Sequence, residues 1–211
     1  MIKSSPVTVF AVALLLVASA NLPASEMKCG ASKCGSGAMA MHMAQPAVTH
    51  KTVNVNIPDV VQIRADGKKV RFANELNDGR PVVLNFIFTT CTAICPISSS
   101  TFMQLQKKLG KDLGDVHLVS VSIDPEQDTP RVLRHYAEKY HAKPGWDFYT
   151  GTADNSVAIQ EAFNVYRGDK MSHDPVTFVR VAPGKEWLRI DGFTTAHALL
   201  QDYHKQLAAN N

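Results

Sequence analysis

The amino-acid sequence predicts an α/β protein with a mixed sheet, and three patterns lead to this prediction. Residues 82–88 and 116–123 are near-continuous apolar runs, typical of strands buried on both faces of a sheet. Each run is followed by a stretch with helical periodicity, as expected where helices connect parallel strands. Residues 176–181 and 187–190 flank Pro183-Gly184 and predict a hairpin.

The chain before residue 82 predicts a short antiparallel extension of this sheet. Residues 53–57, 60–64 and 69–72 have the composition of short strands. Asp66-Gly67 suits the tight turn between the last two of them. We therefore expect an N-terminal hairpin ahead of the first buried strand.

The first buried strand leads through a cysteine-containing loop, residues 89–95, into a helix. Pro96 suits the first turn of that helix, where a backbone N–H has no intrahelical partner and its absence costs little. The apolar residues between positions 102 and 109 share one helical face, and Gly110 suits the helix end.

The second buried strand ends at Asp124-Pro125, and Thr129-Pro130 predicts the start of a helix as an N-cap followed by proline. A third strand follows at residues 146–149, a helix at 155–163 and a last helix at 195–207. This order of elements matches a thioredoxin-like fold with an N-terminal β-hairpin extension and a C-terminal helix. We assign that domain to residues 51–211.

The N-terminal residues predict export from the cytoplasm. Lys3 is followed by an apolar run at residues 7–18, which is too short to span a bilayer, and Ala18-Ser19-Ala20 is a suitable cleavage site. We expect residues 1–20 to be a cleavable signal peptide and the protein to be periplasmic. An uncleaved inner-membrane anchor is the alternative. The net charge of the whole chain is only +3, with no basic block, which argues against a nucleic-acid partner.

In an oxidising compartment the four cysteines predict disulfides, metal ligands or redox pairs. Cys91 and Cys95 lie where a helix N-terminus is expected to stabilise thiolates. Three residues separate them, so both sulfurs can point at one spot, as a reversible disulfide or a shared metal ion requires. A purely structural bridge would have the same spacing.

A shared metal ion would need a further ligand, and His173 is the candidate. It lies in a polar loop just before the strand at residues 176–181. In a thioredoxin-like fold this loop packs beside the cysteine loop. Two thiolates and one imidazole favour copper, as Cu(I) or Cu(II), whereas zinc usually takes four ligands. Zinc with a fourth ligand from solvent or Asp174 is the alternative.

Residues 21–50 predict a flexible tail because Ala, Gly, Ser and Met dominate without apolar periodicity. The tail carries side chains that Cu(I) prefers, which predicts an auxiliary metal site. Its candidate ligands are Cys29, Cys34, Met39, Met41, His42 and Met43. A plain linker, or a disulfide between the two cysteines, is the alternative.

Three separated motifs resemble the Sco/SenC family over about residues 53–208. They are the segments 91–96 (CTAICP) and 121–130 (VSIDPEQDTP), followed by His173 eleven residues before Gly184. The resemblance implies a thioredoxin fold, copper ligation by the two cysteines and the histidine, and a role in assembling cytochrome c oxidase.

The resemblance also implies partners and supporting residues. The main partner would be a copper-accepting subunit of a respiratory oxidase, with a periplasmic copper donor or thiol reductant as a second. No small-molecule substrate is expected. Asp124 and Asp128 match the acidic motif of the family, where we expect them to support the ligands or dock a partner; turn and helix-cap roles are the alternative.

The sequence differs from many members of this family at two points near the motifs. Thr92 replaces a proline after the first cysteine, and Pro175 lies near the position of the thioredoxin cis-proline. These differences favour a redox role, so thiol–disulfide exchange through Cys91 and Cys95 is the alternative to copper delivery. A thiol peroxidase using Thr92 and Arg180 is a third, weaker interpretation.

Overall fold

The computed structural model describes residues 47–210, which form an eight-stranded mixed sheet with helices on both faces. The strands are β1 (Thr49–Val53), β2 (Val61–Arg64), β3 (Lys69–Arg71), β4 (Val82–Ile87), β5 (His117–Ser122), β6 (Trp146–Thr150), β7 (Val176–Arg180) and β8 (Trp187–Asp191). The helices are α1 (Phe72–Leu76), α2 (Ile94–Leu109), α3 (Pro130–Lys139), α4 (Ala153–Ala162) and α5 (Ala196–Asn210).

The strand order is β1-β8-β7-β4-β5-β6-β2-β3. Strands β4, β5 and β6 are parallel at the centre, whereas β7 and β8 add to one side in antiparallel pairing. The β2–β3 hairpin joins the other side through β6, also antiparallel. The predicted thioredoxin-like α/β fold with an N-terminal hairpin is confirmed.

The two central strands are buried because apolar side chains fill both of their faces. Every residue of β4 and β5 is buried. Alternate residues point to opposite faces, so Val83 and Ile87 pack in one core while Leu84 and Phe86 pack in the other. Helices α2, α3 and α5 cover the first core, and α1 and α4 cover the second.

The predicted boundary residues act as the sequence indicated. Thr129 caps α3 by accepting a hydrogen bond from the Val132 N–H at 3.4 Å, with Pro130 as the first helical residue. Gly110 ends α2 with a φ of +57°, a left-handed conformation that favours glycine. These residues fix where the helices start and stop relative to the sheet.

The strand predicted at residues 53–57 is wrong, because the structure places β1 at Thr49–Val53, paired antiparallel with β8. Four of its five residues are exposed, so no apolar alternation marked it. Pro58 lacks a backbone donor, which disfavours continuing the sheet through it. The strand therefore begins inside the segment that we predicted as the tail. The signal peptide and most of that tail lie outside the described residues.

Strand direction brings three chain segments to one edge of the sheet. Parallel β4 and β5 both end there, and antiparallel β7 begins there. The cysteine loop follows β4, the Asp124 loop follows β5, and the loop with His173 precedes β7. Sites of open α/β sheets form beyond such strand ends. Within residues 47–210, no helix has the length and apolar character needed to cross a membrane.

Candidate metal centre

The two cysteines of the predicted site lie side by side at the start of α2. Cys95 belongs to the first turn of this helix, and its backbone N–H donates to the Cys91 Sγ at 3.4 Å. Both are free thiols; Cys91 is half-buried and Cys95 has no exposed surface. The sulfur that a partner can reach is therefore that of Cys91.

The helix start makes Cys91 the more acidic thiol. Burial alone raises the pKa of Cys91, but the N–H groups of Cys95, Ala93 and Ile94 outweigh this effect and hold it below its ordinary value. These are the unpaired donors that every helix N-terminus presents. A lowered thiol pKa increases the thiolate fraction, the form that attacks disulfides and binds metal.

Cys95 has the opposite environment. Burial raises the pKa of its thiol far above the ordinary value, and the neighbouring Cys91 adds to the shift. The backbone N–H of Phe88, just after β4, donates to its Sγ at 3.5 Å and partly offsets the burial. Cys95 is therefore a protonated thiol at neutral pH and lies buried beside Cys91.

His173 lies at the same sheet edge, in the loop that leads into β7, and is 6% exposed. Its Nε2 is 3.3 Å from the carbonyl oxygen of Phe86 in β4. Burial lowers the pKa of the imidazole, so the ring is neutral at pH 7. A carbonyl only accepts, so Nε2 carries the hydrogen and Nδ1 carries the free lone pair.

The three predicted ligands are not gathered into a single cluster. No group of three or more His, Cys, Asp or Glu side chains within the described part of the chain is arranged to hold a metal ion. The structure brings the two cysteines together and places His173 on the neighbouring loop. A three-coordinate site needs a movement of one of these loops.

The acidic residues predicted beside the site hold its loops. Asp128 is fully buried and accepts hydrogen bonds from the Thr89 N–H at 3.2 Å, from the Thr89 hydroxyl, and from the Ser122 hydroxyl at 2.6 Å. Burial raises the pKa of this carboxyl. It thereby ties the ends of β4 and β5 together two residues before Cys91.

Asp124, the other acidic residue, is also buried and accepts a hydrogen bond from Lys170 Nζ at 2.6 Å. Its backbone N–H donates to the Ser122 hydroxyl at 3.0 Å, which fixes it to the end of β5. The sequence did not predict the roles of Lys170, of the Phe86 carbonyl or of the Phe88 amide at this site. Backbone groups carry no sequence signal, and a lysine in a polar loop is indistinguishable from a solvated one.

Two further features of the sequence concern Pro175 and the tail. The peptide bond before Pro175 is trans, since no peptide bond within residues 47–210 is cis. The auxiliary ligands proposed in the tail, from Cys29 to Met43, fall among residues that the structure does not describe.

The fold and the paired thiols define the class to which the chain belongs, the thioredoxin-like proteins with a dithiol at a helix start. The family model described as SCO1/SenC matches residues 62–206. The chain therefore belongs to the SCO1/SenC family, as the sequence motifs indicated.

Individual relatives agree with this assignment. The SCO1 protein homolog of Bacillus subtilis is 39% identical over 93 residues, which span 44% of this chain and about half, 47%, of the relative. The solved structure of BsSco, described as a member of the Sco family of cytochrome c oxidase assembly proteins with a disulfide switch, has a TM-score of 0.61 and 26% identity. That match covers 74% of this chain and 95% of BsSco.

A third relative supports the prediction of copper. The structure of Arabidopsis thaliana ScoI, described as having copper bound, matches with a TM-score of 0.59 and 25% identity. It covers 71% of this chain and 96% of that chain. Two thiols and a neutral imidazole, the groups that this chain places at one edge, are the soft donors that suit copper.

The contrast between the two thiols gives a prediction about alkylation. With iodoacetamide at pH 7, we expect Cys91 to react at least about tenfold faster than Cys95, because it has the lower pKa and the exposed sulfur. Peptide mapping by mass spectrometry measures each site, and the denatured protein is the control in which the two rates converge. Equal rates in the folded protein would contradict the assignment.

Proposed function

We propose that this protein holds copper through Cys91, Cys95 and His173 and delivers it to the copper centre of a respiratory oxidase. One observation carries the proposal. The two thiols and the loop that bears the neutral His173 lie at the same edge of the sheet. Membership of the SCO1/SenC family and the copper-bound relative support it.

The hydrogen bonds of the site suit this ligand set. The Phe86 carbonyl fixes the Nε2–H tautomer of His173, which leaves Nδ1 to bind copper. Metal-bound histidines commonly donate their other N–H to a backbone carbonyl in this way, which orients the ring. Closure of the site by a movement of the cysteine loop would keep the contact between His173 and Phe86.

Copper loading must remove the protons of both thiols, because thiolate is the ligand form. Cys91 provides the accessible first sulfur. The positive charge of the metal then compensates the negative charge of the buried Cys95 thiolate, which is unfavourable without the metal. Delivery would proceed by ligand exchange, in which groups of the acceptor replace the three ligands in turn, and only the reduced dithiol can be loaded.

The second candidate is thiol–disulfide exchange that keeps the cysteines of a copper-site target reduced. The opposite pKa shifts of the two thiols favour it. The Cys91 thiolate would attack a target disulfide and release one target thiolate. Cys95 would then give up its proton and attack the Cys91 sulfur, which leaves a Cys91–Cys95 disulfide and a reduced target dithiol.

The location and the tail complete the proposal. We infer a periplasmic protein released by cleavage after Ala20, with an uncleaved anchor as the alternative, and a periplasmic copper donor or thiol reductant as a second partner. The tail at residues 21–50 would capture Cu(I) and pass it to the main site. Its crowding of thiolates, thioethers and an imidazole supports this role.

Replacing His173 separates the two candidate functions. We expect His173→Ala to abolish tight Cu(II) binding, because one of three direct ligands is lost and the loss of an outer-shell partner alone costs about tenfold to a hundredfold in affinity. Dithiol exchange with a model disulfide should continue, since it needs only the two sulfurs. Competition titration and the nitrogen hyperfine signal of bound Cu(II) measure the effect.

His204, an exposed histidine of α5, provides the matched control as His204→Ala. Unchanged copper affinity in His173→Ala would rule out the ligand assignment. Loss of sulfur-to-copper charge transfer in both Cys91→Ser and Cys95→Ser is the corresponding expectation for the sulfurs.

Export predicts a defined N-terminus. Protein recovered from the periplasm of an expressing bacterium should begin at Asn21 by N-terminal sequencing. A chain that retains residues 1–20 in the membrane fraction would instead support the anchor.

The tail hypothesis predicts a difference in stoichiometry. The chain beginning at Asn21 should bind more Cu(I) than a version that begins at residue 47, measured by titration against a competing Cu(I) chelator. The same stoichiometry in both would remove the role of the tail.

A further inference from the structure

The loop that carries His173 is joined to the rest of the described structure at two side chains. One is His173 itself, through Phe86. The other is Lys170, whose Nζ donates to Asp124 at 2.6 Å. The remaining hydrogen bonds that we find for residues 168–174 are internal to the segment or connect it to the adjacent Arg167.

Lys170 and His173 belong to one hydrogen-bonded 3₁₀ turn. The His173 backbone N–H donates to the Lys170 carbonyl at 3.2 Å, and the Ser172 N–H donates to the Asp169 carbonyl at 3.0 Å. The Asp169 side chain also accepts from the Met171 N–H at 2.9 Å. A displacement of the Lys170 backbone is therefore transmitted to the backbone of His173.

The partner of Lys170, Asp124, is buried and held by hydrogen bonds. The Asp124 side chain is 8% exposed, and its backbone is fixed by the Ser122 hydroxyl and by the N–H groups of Gln127 and Asp128. Lys170 Nζ also lies 5.8 Å from the centre of the Phe88 ring, just before the cysteine loop. The lysine therefore spans from the histidine loop to the ends of both β4 and β5.

The contact between Lys170 and Asp124 borders an open cleft. A cleft of about 420 Å³ lies beside the histidine loop, between it, α4 and the end of β5. Ser156 and Gln160 of α4 line its far wall, and Lys170 and Asp124 are part of its lining. If the lysine contact were lost, the cleft would leave the loop space to move on that side, with the His173–Phe86 contact as its other connection.

We propose that Lys170 is a positioning residue, whose bond to Asp124 holds the His173 loop over the end of β4 so that the imidazole can complete the copper site. This inference rests on the proposed function, because it requires His173 to be a ligand. Lys170 would not touch the metal. Lys170 would act by restricting the positions that the His173 side chain can take while copper is held by the two sulfurs.

The alternative is a solvated ion pair without influence on the site. Lysine–carboxylate pairs at surfaces contribute little. The two readings differ in one respect: a surface pair acts independently of His173, whereas a positioning contact has an effect only while His173 is present. A double-mutant cycle measures that dependence directly.

The experiment measures the rate at which the copper-loaded full chain loses Cu(II) to an excess of chelator. Lys170→Met keeps the chain length without the charge, and we expect release about fivefold faster. Lys170→Arg should restore most of the wild-type rate. Asp124→Asn should resemble Lys170→Met, which provides a second variant if either folds poorly.

Two further comparisons give the test its specificity. Lys185→Met removes a charge from the exposed β7–β8 turn at the opposite edge and should release copper at the wild-type rate. In a His173→Ala background, Lys170→Met should cause no additional acceleration. At saturating Cu(II), Lys170→Met should retain the nitrogen hyperfine signal that His173→Ala loses.

The proposal is overturned if Lys170→Met releases copper at the wild-type rate, or if it accelerates release equally with and without His173. A different result tests the proposed function on which this inference rests. If His173→Ala alone leaves copper release and the nitrogen signal unchanged, His173 is not a ligand, and Lys170 then has no positioning role.

Discussion

The antiparallel pairing of β7 with β4 is the constraint on which the candidate site depends. Register pairs Val82 with Arg180 and Asn85 with Thr177, so the two strands run past each other in opposite directions. The end of β4 and the beginning of β7 therefore meet at one edge. Because the cysteine loop leaves β4 there and the histidine loop enters β7 there, two loops whose residues 91 and 173 are 82 positions apart in the chain become neighbours in space. A parallel β7 would place its preceding loop at the other edge.

The polar groups at this edge of the sheet differ in how deeply they are buried and in their roles. The outer Cys91 takes the helix N–H groups that lower its pKa, while the inner Cys95 is shielded by the core and stays protonated. Below them, Asp128 ties Thr89 to Ser122 and fixes the ends of two strands. The more reactive sulfur is thus the more accessible one, and the groups that hold its loop are buried. This arrangement would suit the proposed copper loading and the alternative thiol exchange equally, because both begin with an accessible thiolate.

Much of the fold could be predicted because its signals are local. The apolar runs of β4 and β5, the Thr129-Pro130 helix start and the Gly110 helix end each depend on a few adjacent residues. The strand β1 could not, since it is an exposed edge strand whose position is set by pairing with β8, more than 130 residues later in the chain. Helix α1 has only five residues, too few to show a helical period, and is anchored by the buried Phe72 and Leu76.

The site shows the same division between local and long-range information. Residue types and loop positions were enough to select both cysteines and the histidine, because soft donors at strand ends are recognisable in a sequence. The groups that orient these side chains could not be predicted from the sequence, since the Phe86 carbonyl and the Phe88 amide are backbone groups that carry no signal of residue type. The contact between Lys170 and Asp124 was equally hidden, because 46 positions separate the two residues and only the folded sheet edge brings them together. Candidate ligands of such a site can therefore be proposed from residue identity, whereas the loop contacts proposed to position them require coordinates.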